Sequence, residues 1–282
     1  MIQTKPMNED NYILPEGLIW DNTTSKFLFV DIKLNSIFQI ETYSPMKIKK
    51  IHTFDESIGF IHCLNDSEIL CGMKSGLMIF NRSSKVCKYI CNISKKNFRL
   101  NDGFVDKNDI VWFGQMHEDD LLISDKNKGT FYSFNLNKGT LVEEDNDYLI
   151  PNGPVISPDN KWIYHSDSSK GIIYRYKYSM QNLNLDTKEI FLNCNHYSPN
   201  NPSPDGMIID RIGNLVVAIW GEGEVWIIST EYQNKIIKRI KIPAVNVTNV
   251  CFSDQEKIRA CVTYAATKFS SGGIYELPSS EL

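Results

Sequence analysis

The chain has 282 residues, of which 42% are apolar and 23% charged, and its formal net charge is −4. That composition excludes a disordered or collagen-like chain and supplies no excess of basic charge, so nucleic acid is not an expected partner. The N-terminal residues MIQTKPMNEDNYILPEG hold no apolar stretch of the kind a secretory signal needs, and the longest apolar run, Leu215–Trp220, is too short to cross a membrane. The seven cysteines are odd in number and contain no CxxC pair. They read as buried free thiols in a soluble protein of the reducing cytoplasm.

Helical periodicity is scarce, and short β-rich runs recur between clusters of Gly, Asn, Asp and Ser. The first unit reads GLIW, the turn DNTTSK, FLFVDI, KLNS and IFQIE. The second reads GFIHCL, NDS, EILCGM, KSG and LMIF. The third reads DGFVD, KND, IVWFGQM, a longer insertion and GTFYSFNL. The fourth reads NGPVIS, PDN, KWIYHSD, SSKG and IIYRYKY, with Gln181–Ile190 as a candidate outer strand. The fifth reads DGMIID, RIG, NLVVAIW, GEGE and VWIIS, and the sixth TNVCFS, DQEK, IRACVTYA, a loop and GGIYELP.

The units start at Gly17, Gly59, Gly103, Gly153, Gly206 and Asn249, in steps of 42, 44, 50, 53 and 43 residues. This is the repeat length of propeller blades. The expected fold is all-β, a six-bladed β-propeller with four-stranded antiparallel blades, occupying residues 1–282 as one domain. A barrel or double sandwich accounts for the strands but not for the regular step.

The innermost strand of each blade lines the central channel, so residues at its entrance converge although they are far apart in sequence. Glu16, Asn101, Asp102, Asn152 and Asp205 hold that position, each next to an anchor glycine or one residue removed from it. Taken singly, Asn-Gly and Asp-Gly are ordinary turn dipeptides. As a set at equivalent repeat positions they offer oxygen ligands for a hard divalent ion. His52, His62, His165 and His196 lack ligand spacing and read as structural or surface residues, whereas His117 is placed to overhang the channel mouth. Trp220 belongs either to the channel floor or to the inter-blade core.

These residues resemble the family of senescence marker protein, gluconolactonase and regucalcin. PEGLIW keeps the glutamate and tryptophan of the family's opening motif as Glu16 and Trp20, with Leu18 where proline is usual. R-x-NDG is complete as Arg99–Gly103, the NG motif is Asn152–Gly153, and the PDG motif contains Asp205. Gly114–Met116 stands for the family's GTM segment, while in the last blade VCFSDQEKIRACVTYAA stands where the family usually has a Gly-Gly turn after a phenylalanine and a Thr-Ser-Ala ending.

The resemblance implies one divalent metal ion (Ca, Mg, Mn or Zn) on Glu16, Asn152 and Asp205. It also implies that Asp205 is the catalytic base and that Arg99, Asn101 and the acidic residue after the GQM segment, Asp119 or its neighbour Glu118, contact substrate. The activity it implies is hydrolysis of a sugar lactone, such as gluconolactone, to the aldonic acid. Two other readings use the same ligands: a non-catalytic calcium-binding propeller, and a metal-dependent esterase, which needs a more apolar pocket. No G-x-S-x-G elbow and no repeated Trp-Asp ending is present, which argues against a serine hydrolase and a WD-type interaction propeller.

Overall fold

A computed structural model describes residues 11–41, 47–93, 95–179, 182–231, 234–253 and 260–277. Every strand pairing is antiparallel, and the strands form six separate sheets. Blade one runs outward through Pro15–Asp21, Lys26–Asp31, Ser36–Glu41 and Lys47–Thr53. The inner strands of the other blades are Ile58–Cys63, Phe98–Val105, Pro151–Ile156, Ser203–Ile209 and Val247–Phe252. Each touches the next around the axis, and the last touches the first, so the ring closes. Five blades have four strands, and the sixth has three among the described residues. The DQEK turn of the sixth unit lies outside them.

The segments join in this way because each blade is apolar on both faces and can bury both only between two neighbours. Six apolar clusters fill the six inter-blade wedges. Leu28, Val30, Ile61 and Cys71 sit between blades one and two, and Leu70, Leu77, Val111 and Phe113 between two and three. Trp112, Phe131, Ile163 and Tyr176 follow, then Tyr164, Ile173, Val217 and Trp226, then Val216, Ala218, Val250 and Val262. The last wedge, with Phe27, Phe29, Cys261 and Ile274, joins blade six to blade one. Burying each such side chain contributes about 1.5–3 kcal/mol, so the ring rests on many equal increments.

Closure has polar support as well. The Thr248 hydroxyl donates to the Pro15 carbonyl at 2.6 Å, and Gly272 N–H donates to the Tyr12 carbonyl at 2.8 Å.

The outer strands are the polar ones. Lys47–Thr53 and Cys87–Asn92 face solvent over most of their length, so they carry little apolar alternation. Asn182–Asn193 is the outer strand of blade four, as its sequence position implied.

Candidate active site

All six inner strands break register with their second strand at the same level of the channel. The breaks fall at Glu16/Ile19, Ile58/Phe60, opposite Leu100/Gly103, and at Asn152/Val155, Pro204/Met207 and Val247/Asn249. Such bulges re-aim side chains and are common beside active sites. Glu16, Asn101, Asp102, Asn152 and Asp205 therefore lie within the inner strands, at the bulge, rather than ahead of them. An extra residue at each break, and not a preceding turn, presents the side chain.

At two of the bulges the presenting residue is followed by a glycine with left-handed backbone, Gly17 at φ +54° and Gly153 at φ +53°. A Cβ on Gly153 would stand 2.8 Å from the Asp205 carbonyl oxygen, so the site tolerates only glycine there. Gly153→Ala is expected to lower stability by about 2–3 kcal/mol in urea unfolding and to displace Asn152.

Two aspartates at the ends of second strands hold the approach to the site. The Asp31 carboxylate accepts from Ile13 N–H at 2.7 Å and Leu14 N–H at 3.2 Å, just before Glu16. Asp167 does the same for Leu149 N–H at 3.0 Å and Ile150 N–H at 3.2 Å, just before Asn152.

The residues enclose a cavity of about 380 Å³ at one mouth of the channel. Glu16, Arg99, Asn101, Asn152 and Asp205 line it together with Leu14, Met116, Asp120, Ile123, Ile150 and Trp220. The first five are buried, although all are polar or charged. A relay of hydrogen bonds crosses three blades. Arg99 Nη1 donates to Asn101 Oδ1 at 2.6 Å, Asn101 Nδ2 to Asn152 Oδ1 at 2.7 Å, and Asn152 Nδ2 to Ser168 Oγ at 2.9 Å. The Ser168 hydroxyl then donates to the Pro204 carbonyl at 2.6 Å, one residue before Asp205. Arginine can only donate, so it dictates the orientation of both amides in turn.

The carboxylates repel one another in this dry setting. Burial, then the charges of Asp205 and Asp102, push Glu16 well above the usual carboxylate range. Burial, then Asp102, does the same to Asp205. Burial raises Asp102 to about 6, although its carboxylate accepts from Gly103 N–H at 2.8 Å and Gly153 N–H at 2.9 Å. Asp205 Oδ1 and Arg99 Nε are buried with no hydrogen-bond partner.

Among the described residues, no group of three His, Cys, Asp or Glu side chains is arranged to hold a metal ion. The donor set here is different, two carboxylates and an amide. Asn152 Oδ1 has spent one lone pair on Asn101, and Asp205 Oδ1 none. Two buried, mutually repelling carboxylates with a free oxygen fit a hard cation better than they fit one another.

The structure also places the remaining candidates. Asp119 does not line the cavity. Its carboxylate caps the short turn Asp120–Leu122 by accepting from Leu121 N–H at 3.0 Å, and the next residue, Asp120, takes the lining position. The shift is one residue in an insertion of unaligned length, where spacing carries no register. His117 is buried edge-on against Phe98 and accepts from Asp119 N–H at 3.1 Å, so it does not overhang the mouth. Trp220 lines the cavity.

The fold and the site together define a six-bladed propeller with a buried oxygen-donor centre at one channel mouth. Residues 14–266 match the SMP-30/Gluconolactonase/LRE-like region, and the chain belongs to that family. It is 26% identical to regucalcin of Bos taurus over 269 residues, covering 94% of this chain and 87% of that one. It is 30% identical over 180 residues to an uncharacterized protein of Sulfolobus acidocaldarius, a match that spans 63% of this chain and 61% of that protein. Among solved structures, a luciferin-regenerating enzyme superposes with a TM-score of 0.85 at 25% identity, covering 95% of this chain and 92% of that chain. A calcium-binding protein, regucalcin of Agrobacterium tumefaciens, shares the fold with a TM-score of 0.84 at 21% identity, covering 97% and 92%. Fold and family are consistent with lactonase-type hydrolysis.

Proposed function

We propose that the cavity hydrolyses the ester bond of a sugar lactone, with one divalent ion held by Glu16, Asn152 and Asp205. The observation that carries this reading is the unpartnered Asp205 Oδ1, buried beside Glu16 and Arg99 in one cavity. A divalent ion on these donors supplies a Lewis acid for the carbonyl oxygen and lowers the pKa of water. The Asp205 carboxylate, buried in the cavity with Oδ1 free of protein hydrogen bonds, is the group positioned to act as general base.

In the step, Asp205 Oδ1 takes a proton from water as the water oxygen bonds to the carbonyl carbon. The ring C–O bond then breaks, and the proton passes to the departing ring oxygen, leaving a hydroxy acid. Arg99, held by Asn101, offers its free Nε–H to the oxygen that gains negative charge. Glu16 and Asp205 repel the new carboxylate and favour its release. The calcium-binding, non-catalytic alternative keeps Glu16, Asn152 and Asp205 but gives Arg99 no task.

The test is proton release from five- and six-carbon aldonolactones by chelator-stripped protein refilled with single metals. Turnover restored by a metal supports the reading. Metal binding without turnover on any lactone moves the protein to the calcium-binding alternative. Asp120→Ala is expected to raise KM severalfold with little change in kcat, whereas Asp119→Ala leaves KM unchanged and costs up to about 1 kcal/mol of stability through the lost turn cap. Steady-state kinetics and thermal melts on the two variants separate the neighbouring aspartates.

A further inference from the structure

The cavity is polar at its floor and apolar along its wall. Leu14, Met116, Ile123, Ile150 and Trp220 line it beside the Arg99–Asn101 pair. At three places an apolar lining residue neighbours an exposed apolar residue. Leu14 follows Ile13, which is 46% exposed. Ile123 follows Leu121 and Leu122, the former 92% exposed. Trp220 bridges to Asn246, beside Val245, which is 56% exposed and whose carbonyl accepts from Gly221 N–H at 3.1 Å. Large exposed apolar side chains are costly to leave in water, and contiguous ones usually mark a binding surface. A bare sugar lactone can satisfy its hydroxyls on Arg99, Asn101, Asp120 and the serines Ser168, Ser169 and Ser203, but it offers no apolar surface to the five apolar side chains.

We infer that the substrate is a hydroxylated lactone extended by an apolar arm, the ring seated on Arg99 and Asn101 and the arm running past Ile123 and Trp220 to the rim. This rests on the lactonase reading of the same site and adds the substrate class to it. Arm and ring have separate partners, so the chemistry at Asp205 is unchanged and arm length acts on binding.

The experiment uses 6-O-alkyl ethers of glucono-1,5-lactone with one, four and eight carbons, on the metal-loaded protein. The expected result is that kcat/KM rises about two- to fourfold per methylene until the arm clears the rim. Ile123→Asn is expected to cut the octyl-to-methyl ratio about tenfold at an unchanged melting temperature, since Ile123 lies on a surface loop. The matching 6-O-alkyl gluconolactams, which the protein does not turn over, give a readout free of catalysis. Their affinity, followed by the quenching of tryptophan fluorescence, is expected to rise with the same slope. A flat slope in both series, with the unsubstituted lactone still hydrolysed, overturns the apolar arm and leaves the lactonase reading standing. If no lactone of either kind is turned over while the lactams bind with a rising slope, the hydrolytic reading fails and the apolar site remains.

Discussion

Asp205→Asn is expected to lower kcat for lactone hydrolysis by ~10²–10⁴-fold, the range for loss of a general base, and to raise the melting temperature of the metal-free protein. The two effects have one origin. Asp205 is buried near Asp102 and Glu16, and burial holds its carboxyl well above the usual range, so the ionised form strains the fold at neutral pH. An amide keeps the shape and removes the charge. A residue that served only packing would lose stability on the same change. The measurement is a melt of chelator-treated protein at pH 7.5 beside kinetics on the metal-loaded form. An unchanged kcat removes Asp205 from the chemistry, and a fall in melting temperature removes the electrostatic account.

The second large effect concerns pH and metal together. Asp102 is raised to about 6, and Glu16 and Asp205 are raised further from the usual carboxylate range near 4. Each of these groups binds its proton more tightly in the folded chain than in the unfolded one. Their contribution to stability is fully present below about pH 4 and is lost as pH rises through 6 and beyond.

Asp21 acts in the opposite sense. Burial tends to raise it, but hydrogen bonds from Thr24, Thr23 and Arg82 outweigh that and hold it at about 2. Its contribution is present above about pH 4 and is lost as pH falls towards 2. The three raised carboxylates are therefore expected to weaken the metal-free protein as pH rises towards 8.

On the proposed site a divalent ion is expected to reverse the upper limb, because it would take the place of the protons on Glu16 and Asp205. At about 100 times its Kd the ion adds about 2.7 kcal/mol, and the gain in melting temperature is expected to be larger at pH 8 than at pH 5. Urea unfolding across pH 3–8, with chelator and with each metal, measures both limbs. A gain independent of pH would place the ion away from these carboxylates.

The blades were legible because their inner three strands are apolar on both faces and end in Gly, Asn and Asp turns. Most of the outer strands, such as Lys47–Thr53, were not, since a solvent-facing edge carries no alternation to read. Glu16, Asn101, Asn152 and Asp205 were legible from their repeat positions, and one cavity collects all four. Asp120 was missed in favour of Asp119 because only the cap on Leu121 N–H decides which of two adjacent carboxylates turns inward. Asp31 and Asp167 were passed over as strand ends, although their carboxylates hold the chain on the approach to Glu16 and Asn152.

By itself the sequence determined the repeat, the number of blades and the residue types at each inner-strand bulge, because these depend on local periodicity and on glycine. Only the tertiary structure decided which side chains share the cavity. Ring closure brings strands from blades one, three, four and five to one axis, and burial there turns separate oxygens into a mutually repelling group. The apolar wall, too, belongs to the closed ring: Leu14, Met116, Ile123, Ile150 and Trp220 come from four blades, and no stretch of sequence sets them side by side.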